Sequence, residues 1–196
     1  MGKSSVARMF KDLGAVTIDS DDIVASLLNE ESVKGQIMRL FGNEAVDADG
    51  NLDKKYIAIK IFNNKSLRTE LEVILHPLVF VEVDSLICKL KDRDRIIIVE
   101  VPLLFEGVYQ KHFNRTITVY ADRKTVLSRL KKSGVSRKDA LLRLQAQMDI
   151  RTKKRLADYC IDNGGTRKQT EAQVRKILQL LIAEDRGQLS RGQRRS

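Results

Sequence analysis

The sequence predicts an α/β fold: a parallel sheet flanked by helices, with a helical insertion. Two observations predict it. Residues 15–19, 96–100, 116–120 and 159–162 are short, near-continuous β-branched and apolar runs, the pattern of parallel strands covered on both faces. Helical periodicity fills the intervals, whereas residues 29–93 carry no convincing strand.

Taken in order, residues 5–13 are amphipathic and are closed by Gly14, a C-cap signal. Strand 15–19 runs into Ser20, Asp21 and Asp22, followed by a short helix over 23–28. Residues 29–93 read as several helices with a turn at 47–51, where Asp47, Asp49, Gly50 and Asn51 cluster. Pro102 ends the strand at 96–100. Helices over 122–132 and 137–149 are strongly basic on one face. Strand 159–162 enters a glycine turn at Gly164 and Gly165, and a helix over 169–183 places Val174, Ile177, Leu178 and Leu181 at helical spacing. The end of the chain, rich in Gly, Gln, Ser and Arg, reads as a disordered tail.

The chain has 196 residues, enough to bury a core without disulfides. Its 42% apolar content excludes a disordered body. A net charge of +10 favours anionic partners, but four of those charges are the tail arginines Arg186, Arg191, Arg194 and Arg195. Aromatics are 5% and Trp is absent, which leaves few platforms for stacking nucleic-acid bases. Cys88 and Cys160 lie outside any Cys/His cluster, so they read as reduced thiols and not as a zinc site. No apolar run spans a bilayer and no secretory signal opens the chain, so the expected setting is cytoplasmic.

Five features carry chemistry. Gly2, Lys3 and Ser4 open a helix in the manner of the end of a phosphate-binding loop, where backbone N–H groups cradle phosphate oxygens, the lysine reaches the terminal phosphates and the hydroxyl holds Mg²⁺. By itself a Gly-Lys-Ser tripeptide is common. Asp19 and Asp21 lie just past a strand end, where a carboxylate can take a proton from a hydroxyl nucleophile; the plain alternative is a solvated turn or an N-cap. Pro102, Leu103, Leu104 and Phe105 form an apolar loop at a strand's carboxyl end, the place where open α/β sheets bind ligands; ordinary core packing is the alternative. Asn163 and Gly165 sit in a turn that can approach a flat base closely. The basic stretch from Arg129 to Arg155 suits a lid that closes on phosphates or, equally, a solvated helix face.

In this order, the features resemble the dephospho-coenzyme A kinases, P-loop kinases of the nucleoside-monophosphate kinase type. The resemblance covers roughly residues 1–183. It rests on Gly2 to Ala7, Ile18 to Asp21, Leu71-Glu72 with Ile74 and His76-Pro77, Val101 to Glu106, Gln147, and Ala157-Asp158 with Ile161 to Asn163 and Gly165.

The resemblance implies ATP-dependent phosphorylation of the ribose 3′-hydroxyl of dephospho-coenzyme A, with Mg²⁺ required. It implies Lys3 on the β/γ-phosphates, Ser4 on Mg²⁺, Asp21 as the base and Asp19 in support. Gly2, Ser5, Arg129 and Lys132 fall on the ATP side, Asn163 and Gly165 on its adenine. His76, Pro77 and Pro102, Leu103, Leu104 and Phe105 fall on the substrate side. Lys132 stands where the family tends to have arginine, which loses the bidentate fork for phosphate.

The implied organisation is a nucleotide-binding core over residues 1–28 and 95–185, with its lid at about 129–155. A helical substrate insertion covers 29–94, and a disordered basic tail covers 186–196. The family's first, central strand has no counterpart here, so the expectation is a truncated N-terminus. The expected partners are ATP and dephospho-coenzyme A, in a monomer or weak oligomer, with neither membrane nor nucleic acid. Another P-loop kinase acting on a different nucleotide or small molecule is the alternative reading, and a basic nucleic-acid-binding module is the more distant one.

Overall fold

The computed structural model describes residues 2–90, 96–145 and 147–192. The elements run α1 (Lys3–Asp12), β1 (Val16–Asp19), α2 (Ser20–Leu27), α3 (Glu31–Phe41), α4 (Lys54–Asn63), α5 (Lys65–Leu90) and β2 (Ile97–Glu100). Then come β3 (Ile117–Tyr120), α6 (Arg123–Lys132), α7 (Arg137–Gln145), α8 (Ile150–Leu156), β4 (Tyr159–Asp162) and α9 (Arg167–Gly192). All four expected strands are present. The fold is α/β, and β3 and β4 pair in parallel from Ile117↔Tyr159 to Tyr120↔Asp162.

The expected single sheet is instead two short ones, β1–β2 and β3–β4; among the described residues no strand joins β2 to β3. What unites them is the core. Val6, Met9 and Phe10 of α1, Ile161 of β4, and Val174, Ile177, Leu178 and Leu181 of α9 form one buried cluster, against which Ile98, Ile117 and Val119 also pack. Helix α1 starts at Lys3, two residues ahead of the apolar pattern, because the polar residues Lys3, Ser4 and Ser5 fill its first turn and its apolar stripe begins only at Val6. It closes as expected, with the Gly14 N–H donating to Lys11 O at 2.9 Å and Gly14 at φ +96°.

Side-chain bonds fasten the strand ends to α9. Gln173 Nε2 donates to the Asp162 carbonyl at 2.9 Å, and its Oε1 accepts from the Asp162 N–H at 2.9 Å. At the other end, Arg115 Nε donates to Glu184 Oε2 at 2.9 Å, and the Tyr159 hydroxyl donates to Glu184 Oε1 at 2.5 Å. The tyrosine bond, with the hydrogen bond and charge of Arg115, outweighs the opposing effect of desolvation and holds the Glu184 carboxyl below the usual range. Helix α9 runs well past the helix expected over 169–183: its backbone extends to Gly192, through much of the expected tail, and residues 193–196 lie outside the description.

The basic stretch after β3 also differs from its pattern. The helix expected over 137–149 stops at Gln145, and a separate helix begins at Ile150. The cause is local: Asp149 is extended (φ −53°, ψ 136°) and caps α8 by accepting the Arg151 N–H.

The chain divides into two compact units, Met1–Thr17 with Arg95–Ser196, and Ile18–Asp94. Residues 18–28 thus go with the helices and not with the core, because α2 packs on α5. In this second unit Val33, Ile37, Phe41, Ala45, Leu52, Ile57, Leu71 and Leu75 form the core. The turn expected at 47–51 is present: Asp47 Oδ1 accepts the Asp49 and Asn51 N–H groups, and Val46 bridges Leu52. Pro77 lies inside α5, between exposed Val73 and Val81. It has no N–H for the Val73 carbonyl, which costs least on a face open to water.

Ile161 is fully buried, so Ile161→Ala is expected to lower stability by about 2–5 kcal/mol. Val81→Ala, on the exposed face of α5, is expected to stay within about 0.5 kcal/mol of the parent. Urea denaturation followed by circular dichroism measures both.

Candidate functional site

Helix α1 begins on a tight approach. Gly2 is its N-cap residue, at φ 87°, ψ 31°, and no side chain caps the helix. A Cβ at Gly2 would run into Asn163 Nδ2, just past the end of β4. Position 2 therefore needs glycine twice, for its left-handed backbone and for the missing atom. Lys3, Ser4 and Ser5 make the first turn, where helix N–H groups have no intrahelical acceptor and the local field favours anions. Asn163 is buried; its Oδ1 accepts from Thr170 Oγ at 3.2 Å. Its side chain thus supports the approach to Gly2.

The Ser4 hydroxyl donates to Glu100 Oε1 at 2.9 Å. The sequence singled out Ser4 but gave Glu100, the last residue of β2, no role. Its position at the carboxyl end of the strand expected over 96–100 was the available signal. The pair sets two hard oxygen donors beside the start of α1.

A cleft of about 450 Å³ opens at the carboxyl ends of β3 and β4. Tyr120, Ala121, Asp122 and Arg123 line one side, Ile150, Arg151 and Lys154 of α8 another, and Asp162, Gly164 and Gly165 the third. Lys154 Nζ lies 3.8 Å from the centroid of the Tyr120 ring, a close cation–π contact. Asp122 caps α6 through Thr125, whose hydroxyl and N–H hold its carboxyl below the usual range.

The loop after β2 is tightly wound. Leu103 (φ 54°) and Val108 (φ 59°) are left-handed, an uncommon state for leucine and a strained one for a β-branched residue. Turn bonds from the Gly107 N–H to Leu103 O and from the Tyr109 N–H to Leu104 O, both 3.0 Å, hold the loop. Pro102 and Leu104 are half-buried, Leu103 is exposed, and Phe105 is buried in the protein. Between the two left-handed residues, Glu106 Oε1 meets Lys153 Nζ at 2.7 Å and accepts the Met148 N–H at 2.8 Å. Burial pushes the Glu106 carboxyl up, but the Lys153 and Met148 hydrogen bonds and the Lys153 charge outweigh it, and the net shift is down.

In the second unit, Asp19 is the N-cap of α2, its Oδ1 accepting the Asp21 N–H at 2.9 Å. The helix therefore starts at Ser20, not at 23, and Asp21 stands exposed in its first turn. His76 and Pro77 lie mid-way along α5. Burial pushes His76 below the usual histidine value against the opposing charge of Glu72.

The chain as a whole is similar to known proteins. The sequence model for dephospho-CoA kinase matches residues 1–169. The chain belongs to the dephospho-CoA kinase family. A dephospho-CoA kinase of Aquifex aeolicus is 34% identical over 184 residues, covering 93% of both chains. A crystal structure of TT1252 from Thermus thermophilus superposes with a TM-score of 0.80 at 29% identity, over 93% of this chain and 91% of that one. A dephospho-CoA kinase from Campylobacter jejuni follows with a TM-score of 0.69 at 25% identity, over 94% and 93%.

Membership in the dephospho-CoA kinase family makes the chain a phosphotransferase, and it directs attention to its cations. Arg129 and Lys132 lie in the last turn of α6, Arg129 half-buried and Lys132 exposed, and neither lines the cleft. The cleft's cations are Arg123, Arg151 and Lys154. Arg123 lies outside the basic stretch from Arg129 to Arg155, and spacing alone could not separate Arg151 and Lys154 from the other basic residues within it.

Gly2→Ala is expected to weaken nucleotide binding by tenfold or more while the protein stays folded, since the strain falls on one turn. Equilibrium titration with a fluorescent ATP analogue measures it. A second expectation concerns pH. A carboxyl depressed by folding stabilises above its unfolded value, and that stability is lost as pH falls through the folded value. The melting-temperature advantage of the parent over Glu106→Gln should be constant above about pH 5 and shrink below about pH 4.

Proposed function

We propose that this chain transfers the γ-phosphoryl group of ATP to the ribose 3′-hydroxyl of dephospho-coenzyme A, the last step of coenzyme A synthesis, in the cytoplasm. The bond from the γ-phosphorus to the β,γ-bridging oxygen breaks, and a bond from that phosphorus to the ribose oxygen forms. ADP leaves, and the hydroxyl proton passes to Asp21. The observation that carries the reading is the start of α1: left-handed Gly2 pressed on Asn163, then Lys3 and Ser4 in the first turn, with Ser4 on Glu100.

In this reading, Gly2 and the first-turn N–H groups of Lys3, Ser4 and Ser5 bind phosphate oxygens, and the Lys3 ammonium spans the β- and γ-phosphates. Asn163 and Gly165 lie on the adenine side, and Asn163 also supports the approach to Gly2. Arg129 and Lys132 meet phosphate from the lid. Asp19 orients Asp21 by capping α2. His76, Pro77 and Pro102, Leu103, Leu104 and Phe105 bind the acceptor substrate.

Ser4 and Glu100 suit Mg²⁺, whose preferred partners are hard oxygens. Among the described residues no three His, Cys, Asp or Glu side chains gather as a metal cluster, which fits an ion that keeps several waters and substrate oxygens as ligands. When bound, Mg²⁺ neutralises charge on the β- and γ-phosphate oxygens. No described helix is long and apolar enough to cross a membrane.

Asp21→Asn is expected to lower kcat by about 10²- to 10⁴-fold with the ATP dissociation constant within about twofold of the parent. A coupled assay of ADP release with dephospho-coenzyme A as acceptor measures it. Unchanged kcat removes Asp21 from the reaction, and preferred transfer to adenosine or a shikimate-like acceptor reassigns the substrate.

A further inference from the structure

Helix α8 is a poor helix on its own terms. It has seven residues, none of them fully buried, and Arg151, Lys153, Lys154 and Arg155 make it densely cationic. Such a length is marginal in water, and like charges three and four residues apart destabilise it further. Yet it supplies one side of the cleft, through Ile150, Arg151 and Lys154.

Its anchorage comes from outside. Arg151 and Lys154 are three residues apart and share a face; Lys153 is turned about 100° away from Lys154. On that turned face Glu106 Oε1 takes both Lys153 Nζ and the Met148 N–H, the latter just ahead of the Asp149 cap. Both charged side chains are largely buried, at 17% exposure for Glu106 and 12% for Lys153. Glu106 Oε2 is buried with no hydrogen-bond partner. As a stabilising device this is inefficient, since a buried carboxylate with an unmatched oxygen is matched or bettered by neutral residues of similar shape. As a locating device it is effective. One oxygen fixes α8 at Lys153 and the chain just ahead of its cap at Met148, and the wound loop between Leu103 and Val108 fixes that oxygen.

We propose that Glu106 and Lys153 are positioning residues for phosphoryl transfer: their ion pair sets α8 so that Arg151 and Lys154 face bound nucleotide. This rests on the reading of the cleft as the nucleotide side of the site. Neither residue touches the reactants; both act through the two cations on the cleft face.

The test compares Glu106→Gln, Lys153→Met and the double variant in the full chain, with KM for ATP, KM for dephospho-coenzyme A and melting temperature as readouts. The single variants should lose thermal stability, and the double should recover most of it because no buried charge is left unpaired. ATP KM should rise about tenfold in all three and stay raised in the recovered double, with dephospho-coenzyme A KM within twofold of the parent. A double variant whose ATP KM rises less than threefold overturns the proposal. So does an equal rise in both KM values, and so does a double variant that does not fold, which would assign the pair to stability. Arg151→Met and Lys154→Met keep the underlying reading separate. If both leave ATP KM unchanged, the cleft is not the nucleotide side; if they raise it while the pair variants do not, only the positioning role falls.

Discussion

The placement of α1 depends on its apolar packing against α9 and β2. Val6 and Phe10 enter the same buried cluster as Ile161, Val174 and Ile177. That packing leaves the start of α1 beside the residue after β4, so closely that Gly2 has no room for a Cβ beside Asn163. The position of the first turn of α1 is therefore set by apolar burial several residues away. Hydrogen bonds at the site refine a position that close packing has already fixed. The same cluster also holds the two short sheets together, since Ile98 of β2 and Ile117 and Val119 of β3 pack on it.

Much of this was legible in the sequence, because local rules and tertiary context agree there. The strand at 159–162 was read to the residue, and Gly14 closes α1 as its left-handed backbone requires. Asp19 shows where two readings share one residue: it caps a helix, and by capping it fixes the backbone of Asp21. The break between α7 and α8 was not legible from periodicity, because a basic, weakly apolar stretch offers little contrast between a helix face and a cap. Only Asp149 marks it. The reach of α9 was missed for another reason. Its extension accompanies Glu184 latching onto Arg115 and Tyr159, partners distant in sequence. Glu100 and Glu106 illustrate the same limit, since each has its role through a partner brought in by the fold.

The net charge of +10 acquires a structure once the cations are placed. Lys153 is neutralised in the protein by Glu106, Arg115 is spent on Glu184, and Lys154 rests on the Tyr120 ring. Basic residues that look alike in sequence thus divide into those that hold the fold and those that face the cleft. A cation on an aromatic face keeps its full charge and is only loosely held. Arg151 and Lys154 accordingly offer positive charge to the cleft from a helix that is itself fixed elsewhere.

The wound loop after β2 bears on how such proteins can be recombined. Leu103 and Val108 hold backbone conformations that their own side chains disfavour, and the cross-loop bonds and the grip on α8 select them from outside. The segment is consequently not portable. Spliced into another scaffold without Met148 and Lys153 to receive it, the same string of residues would relax to an ordinary turn and present its carboxylate elsewhere. The loop and the distant helix form one structural module, although the chain writes them far apart.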